Sequence, residues 1–352
     1  MRRAPGVVTT PGRRGPAAHP GTVLGVHDLP TELRTALAAA VAQHSSPDVT
    51  ATTARLVEGY QQGSPADTPR LVSDLDAVAY ATYRMPATWA AVRAALGEAA
   101  RLAPELAPAT QLDVGGGTGS AVWAAAAVWP SLVAHTVLEQ VPAVLRLGSE
   151  LAATAQGSVR TTTWTQDDLT SGTLLPRAEL VTASYVLGEL APAARGGLVD
   201  RLVAAASEVL VLVEPGSVAG HQRVLAARDQ VLAAGLHLLA PCPHGEACPM
   251  VGTKDWCHFA ERLERSVQHR RAKGATLGFE DEKYAYLVAV RSPVQAADGR
   301  VVRHPFTRKG VVELELCTRE SGLRTEIVSK RQGPVYKAAR GAVWGDAWPP
   351  GA

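Results

Sequence analysis

The sequence predicts an α/β protein: a parallel sheet with helices on both faces, preceded by a helical region and followed by a cysteine-bearing, β-rich unit. Three observations carry this expectation. Between Thr110 and Val213, short apolar runs alternate with Ala-rich stretches of helical period, the pattern of strands joined through crossover helices. One of those runs, Leu112-Asp113-Val114, opens directly into Gly115-Gly116-Gly117-Thr118-Gly119. All four cysteines and all six lysines lie beyond residue 240, so the last third has a composition of its own.

A chain of 352 residues is long enough for two or three domains and a sizeable core. With 46% hydrophobic and 19% charged residues it has ordinary globular composition, which excludes a wholly disordered chain. No apolar run approaches the roughly 18 residues of a membrane span, so no membrane partner is expected. Net charge is +2 but unevenly placed: residues 241–352 hold 18 basic residues against 13 acids, and residues 1–240 hold 17 against 20. That asymmetry points either to an anionic partner of the last third or to a solvated basic surface.

Residues 1–28 read as a disordered tail. They carry Arg2, Arg3, Arg13 and Arg14 and no acid before Asp28, and they lack the apolar core of a secretory signal. Their prolines and glycines fit an amphipathic targeting helix poorly, so a cytoplasmic, reducing compartment is expected. Residues 29–109 read as helical, with stretches at Thr31–Gln43, Thr52–Gln62 and Pro69–Leu102 and an end or kink at Met85, before Pro86. Residues 110–240 hold the expected strands Gln111–Val114, His135–Glu139, Val159–Thr163, Leu180–Ala183 and Val209–Val213, then a helix over His221–Leu239. Residues 241–352 begin with the Cys/Pro/His segment Pro241–His258. A basic helical stretch, Phe259–Lys273, follows, then antiparallel strands at Tyr284–Arg291, Arg300–His304, Val311–Cys317 and Thr325–Ser329.

The glycine loop follows a strand and precedes a helix, where the backbone can turn tightly and a ligand can approach free N–H groups. Glu139 ends the next strand, and a carboxylate there can accept both hydroxyls of an adenosine ribose. A dinucleotide fingerprint fits imperfectly, because Ser120 stands at its third glycine. The spacing Asp113-x-Gly115-x-Gly117-x-Gly119 instead resembles motif I of class I S-adenosylmethionine-dependent methyltransferases. By that resemblance Asp113, Gly115, Gly117, Gly119 and Glu139 hold S-adenosylmethionine, with Asp167 and Asp168 near adenine and Tyr185 lining the pocket. The Asn/Asp-Pro-Pro-aromatic motif of base-amine methylation is absent. Its position reads Ser184-Tyr185-Val186-Leu187-Gly188-Glu189. Glu214-Pro215-Gly216, after the fifth strand, reads as a structural turn.

Cys242, Cys248 and Cys257 are spaced C-x5-C-x8-C, and Cys317 follows far downstream. Zinc knuckles would show C-x2-C pairs. Iron–sulfur clusters commonly take four cysteines, some followed by proline, as in Cys242-Pro243 and Cys248-Pro249. Buried hydrophobic cysteines are the alternative. In Val311–Cys317, period two puts Val312, Leu314 and Leu316 on one face and Cys317 on the other, free to meet the loop that carries the other three. His244 and His258 flank that loop, as supporting residues or alternative ligands.

Several segments together carry a wider resemblance. Tyr83-Arg84-Met85-Pro86-Ala87-Thr88, Leu112–Gly119, Ser184–Leu190, Cys242-Pro243-His244, Asp255-Trp256-Cys257-His258-Phe259 and Arg308-Lys309-Gly310 are similar to the Rsm-type methyltransferase-like family of small-ribosomal-subunit assembly proteins. Ser329-Lys330, Ala338-Ala339-Arg340 and Trp344-Gly345-Asp346 agree, and the similarity runs from about Leu71 to Trp348. It implies a class I methyltransferase (Rossmann-like) fold and a [4Fe-4S] cluster on Cys242, Cys248, Cys257 and Cys317. It also implies association with small-subunit rRNA in ribosome assembly. Arg303, Arg308 and Lys309, and Lys330, Arg331, Lys337 and Arg340, are the expected RNA contacts, with Phe306 and Tyr336 near enough to stack on bases. The rival expectation is an active RNA methyltransferase, since transfer from a sulfonium needs little beyond in-line placement.

Overall fold

The protein is described by a computed structural model covering residues 29–62, 71–265 and 276–350. The tail expected over residues 1–28, and Arg270, Arg271 and Lys273 of the basic stretch, lie outside these residues.

Three helices come first: α1 (Thr31–Ala42), α2 (Ser46–Gln62) and α3 (Asp74–Leu102). A capping box starts α3, with Ser73 Oγ accepting from the Asp76 N–H and Asp76 Oδ2 accepting from the Ser73 N–H. The helix does not end at Met85. It runs through Pro86, although an internal proline costs a helix about 3 kcal/mol. Met85, Trp89, Val92 and Leu96 are all buried on either side of it. At about 1.5–3 kcal/mol for each large side chain, that burial outweighs the proline.

The first sheet contains β1 (Thr110–Val114), β2 (Ala134–Glu139), β3 (Thr163–Gln166), β4 (Ala178–Ser184), β5 (Ala206–Pro215), β6 (His237–Ala240), β7 (Phe259–Glu264) and β8 (Phe279–Val290). Its order is β3-β2-β1-β4-β5-β8-β6, with β7 also on β8. β1 to β5 are parallel, and β8 runs antiparallel to β5, β6 and β7. Helices α3, α4 (Ser120–Val128) and α5 (Pro142–Ala153) cover one face, and α6 (Pro192–Ala205) and α7 (Val218–Ala233) the other. This is the class I methyltransferase arrangement. Strand order reverses between β1 and β4, which opens a crevice at their carboxyl ends.

Four expectations shift. Gly157–Thr161 is a 3-10 turn burying only Val159, so the third strand starts at Thr163. The helix expected to Leu239 stops at Ala233, and His237–Ala240 becomes a strand. Phe259–Glu264 is a strand, not a helix. Phe259 and Leu263 are both buried, and a spacing of four suits period 2 as well as period 3.6. Glu261 lies between them on the same face and hides the alternation. The sheet boundary also does not fall at residue 240: β7 and β8 extend the first sheet, with Tyr284–Val290 buried against β5 and β6.

The second sheet is antiparallel, with order β10-β11-β9-β13 and β12 also on β11. Its strands are β9 (Gly299–Val301), β10 (Phe306–Arg308), β11 (Val311–Thr318), β12 (Gly322–Ser329) and β13 (Ala347–Trp348). Helix α8 (Pro334–Gly341) packs on the face formed by Val301, Val312, Leu314, Leu316 and Val328. No helix among the described residues is long and apolar enough to cross a membrane.

Candidate cofactor cleft and cysteine site

The chain leaves β1 with Gly115 and Gly117 at φ 64° and 57°. A Cβ on Gly115 would lie 2.3 Å from Val186 Cγ2, and one on Gly116 2.4 Å from Asp113 Oδ2. A Cβ on Gly117 would meet nothing closer than Tyr80 at 4.0 Å, so that residue faces open space. Gly119, at φ 85°, caps α4 and packs under Trp164. The space is a partly open cleft. Asp113, the glycine loop and Ser184 form one wall, and Tyr80, Arg84, Met85 and Thr88 of α3 form the other.

Glu139, at the end of β2, stands outside the lining but is tied to the glycine loop. Its Oε2 accepts from the Gly117 N–H at 3.1 Å, and its Oε1 from Gln140 and Val141 at 2.8 and 3.0 Å. Burial pushes its carboxyl up, against these three hydrogen bonds. Asp113 accepts a 2.7 Å bond from Thr182, while its buried Oδ2 has no hydrogen-bond partner. Burial pushes this carboxyl up to about 7, opposed by the Thr182 bond and helped by Glu139.

Arg84 is the cation among the lining residues. Its guanidinium pairs with Glu282 of β8 at 3.1 Å and lies 4.8 Å from the Tyr185 ring centre. Tyr185 donates to the same Glu282 at 2.8 Å, from a backbone at φ 63° that side-chain-bearing residues rarely adopt. Tyr185 therefore braces Arg84 rather than lining the cleft itself. Asp167 and Asp168 also stand outside the lining. The Asp167 N–H donates to the Glu139 carbonyl, and exposed Asp168 accepts from the Thr170 N–H and hydroxyl at 2.8 and 2.7 Å, which holds its own turn. Glu214 accepts from the Leu187 N–H and from Arg223, fixing the loop after β4.

The four cysteines come together. Cys242, Cys248, Cys257 and Cys317 are free, half-buried thiols lining one cavity. Cys317 lies on the face of β11 opposite buried Val312, Leu314 and Leu316, as period two requires. Burial raises Cys242, Cys257 and Cys317, the last to about 12, and the neighbouring thiols add to each. Among the described residues no three His, Cys, Asp or Glu side chains converge closely enough for a single metal ion. His244 Nε2 sits 3.7 Å from Cys317 Sγ. His258 lies against Trp256 and Trp344, with ring centroids 5.1 and 4.9 Å away. Buried Arg228 and Arg300 supply positive charge to the cavity wall.

Arg308, Lys309, Lys330, Arg331, Lys337 and Arg340 are exposed, and no ion pair involves them among the described residues. The Lys330 N–H donates to the Gly310 carbonyl, which brings the two basic groups together. Phe306 and Ile327 are exposed and each faces Glu313 across β11. Two expectations fail here. Arg303 pairs with Asp255 and donates to the Trp256 carbonyl, so it fastens the cysteine loop instead of facing solvent. Tyr336 packs against the second-sheet core. In the basic stretch Phe259–Lys273, Arg262 and Arg265 pair across the β7–β8 hairpin with Asp281 and Glu280.

The family profile described as mitochondrial small ribosomal subunit Rsm22 matches residues 74–349. The chain belongs to the Rsm22 family. Among curated relatives, the human mitochondrial ribosome assembly protein METTL17 is 27% identical over 290 residues, 77% of this chain and 62% of its own. The Rsm22-cox11 tandem protein 2 of Schizosaccharomyces pombe, also mitochondrial, is 26% identical over 341 residues, 80% of this chain and 44% of its own. The chain thus spans less than two thirds of these relatives. Among solved structures, Synechocystis magnesium protoporphyrin IX methyltransferase with bound SAM is 14% identical, with 67% of this chain and 91% of that one covered at a TM-score of 0.39. Human N-acetylserotonin methyltransferase in complex with SAM is 13% identical, with 74% and 67% covered at 0.40.

In this Rsm22 protein, sequence reading missed the α3 wall of the cleft. Tyr80, Arg84 and Thr88 lie far upstream of the glycine loop, and the Thr118 hydroxyl on Met85 sulfur, at 3.4 Å, joins the two directly. The Tyr83–Thr88 segment stood out only through the family resemblance.

Proposed function

We propose that this chain is a methyltransferase-like, iron–sulfur-binding factor that holds S-adenosylmethionine and associates with small-subunit rRNA during ribosome assembly. The observation that carries the reading is the cavity lined by four thiols from separate segments beside two buried arginines. A [4Fe-4S] cluster held by Cys242, Cys248, Cys257 and Cys317 would tie the cysteine loop to the second sheet and draw the thiols down to thiolates. The cleft supports the cofactor half of the reading. Glu139 suits ribose hydroxyls, and Asp113 and Arg84 suit the ammonium and carboxylate of an amino-acid tail. The unpaired basic face supports the RNA half. A cytoplasmic, reducing setting keeps the thiols available.

The test is anaerobic purification followed by iron, acid-labile sulfide and zinc quantitation. About four irons and four sulfides per chain are expected, with loss on exposure to air. Stoichiometric zinc without sulfide overturns the cluster. Co-sedimentation with small subunits tests the partner.

A further inference from the structure

Arg228 projects from α7 into the cysteine cavity and is 3% exposed. Its Nη2 donates to the carbonyls of His244 and Glu246, at 3.0 and 2.5 Å, and so grips the loop between Cys242 and Cys248. Its Nε is buried and has no hydrogen-bond partner. Its ion-pair partner among the described residues is Asp229, 3.3 Å away with a side chain 77% exposed. Arg300, on the same cavity, differs: its Nη1 meets the carboxylate of Glu98, and its Nε donates to Pro241 O. Among the described residues Arg228 is therefore a buried cation whose carboxylate partner lies in water, and it lines the same cavity as the four cysteines with a donor to spare. A buried charge calls for a buried counter-charge.

We propose that Arg228 is the internal counter-charge of the cluster, with its Nε–H left for a sulfur, and that it raises the cluster's reduction potential. This rests on the iron–sulfur reading above. A cluster on four thiolates is anionic, and one-electron reduction by an added reductant such as dithionite makes it more so, with no proton transferred. A cation in a low-dielectric site favours the reduced form.

The experiment uses the full chain, purified anaerobically, as wild type, Arg228→Gln and Arg228→Lys. Iron and sulfide are measured first, then the midpoint potential is found by dithionite titration followed by electron paramagnetic resonance. In Arg228→Gln protein that carries iron and sulfide, the reduction equilibrium should shift at least tenfold toward the oxidised form, about 59 mV for a one-electron couple. Arg228→Lys, which keeps the charge and loses Nε, should fall between. An unchanged potential in a fully loaded Arg228→Gln protein overturns the proposal. If Arg228→Gln fails to load while Arg228→Lys loads, the charge requirement stands. If neither loads, Arg228 is a loop brace and the proposal fails. Wild type without iron and sulfide overturns the cluster reading itself, a result separate from these.

Discussion

Arg300 and Cys317 are register partners on β9 and β11, so the guanidinium that reaches Glu98 and the last of the four thiols rise from the same face of one sheet. Glu98 sits on α3, the helix whose Tyr80 and Arg84 wall the cofactor cleft. One helix thus walls the cleft and holds an arginine of the cysteine cavity.

The first prediction tests that link. Among the described residues, Arg300→Met leaves Glu98 with half-exposed Arg101 as its ion-pair partner, and breaking a buried pair costs about 3–5 kcal/mol. The urea midpoint and iron content should fall together. Burial pushes the Glu98 carboxyl up, but bonds from Arg101 and Arg300 outweigh it and hold it below its ordinary value. Its contribution is therefore full above the usual carboxylate range and disappears as pH falls through the lowered value. Glu98→Gln should remove that part of the acid sensitivity. Parallel urea midpoints for wild type and variant across the acid range would count against the pair.

A second prediction concerns Cys317. It lies about 60 residues beyond Cys257, so a shared cluster closes a long loop and constrains the unfolded chain. Cys317→Ser should lower iron content and destabilise the second sheet more than the first. Hydrogen exchange reads this out: β11 and β12 should lose protection while β1 and β4 keep it. Equal loss in both sheets contradicts the assignment.

The third concerns the cofactor. Glu139→Ala removes a charged acceptor worth about 1.5–3 kcal/mol, so S-adenosylmethionine should bind roughly 10- to 150-fold more weakly. Gly117→Val should do more, because φ 57° strains any branched residue and its side chain would enter the cleft. Calorimetry decides, and wild-type protein that binds no S-adenosylmethionine removes the claim.

The fourth follows from Asp113. With its carboxyl near 7, it is largely protonated in mild acid and cannot then accept from an ammonium as a carboxylate. Affinity for S-adenosylmethionine should rise as pH passes upward through about 7 and flatten in Asp113→Asn. An identical pH profile in the variant places the titration elsewhere.

Much of this was legible in the chain. Strand, glycine loop, helix and Glu139 agree locally, and a local pattern survives folding. The face of β11 that carries Cys317 followed from period two alone. What stayed hidden depends on distance. Arg84 meets Glu282 across 198 residues of sequence, and no periodicity announces that. Phe259–Glu264 was misread because its spacing serves two periods and its middle position is an acid. Glu261 is tolerated there because it lies beside Arg93 and bonds to Tyr284, and burial still pushes its carboxyl up to about 7. Arg303 read as a free cation because Asp255 is far away in the chain.

The last prediction concerns the basic face. Arg308 and Lys309 cap the β10–β11 hairpin, and the hydrogen bond from Lys330 to Gly310 sets Lys330 and Arg331 beside them. Four exposed cations in one place suit a phosphate backbone, and exposed Phe306 offers a stacking surface next to them. For every phosphate left without its cation, the slope of log affinity against log salt should shrink by about 0.7 on single strands and about 0.9 on a duplex. Reversing Arg308, Lys309, Lys330 and Arg331 to Glu should therefore flatten that slope and release the protein from small subunits at moderate salt. Phe306→Ala should weaken binding by about 1–3 kcal/mol while leaving the slope alone, because stacking displaces no counterions. Reversing Arg303 is the internal control. It should free the cysteine loop from Asp255 and lower iron content, with no change in slope beyond the loss of folded protein. Wild-type slope and co-sedimentation in the fourfold variant would mean that this face is only solvated, and the RNA contact would have to lie elsewhere on the chain.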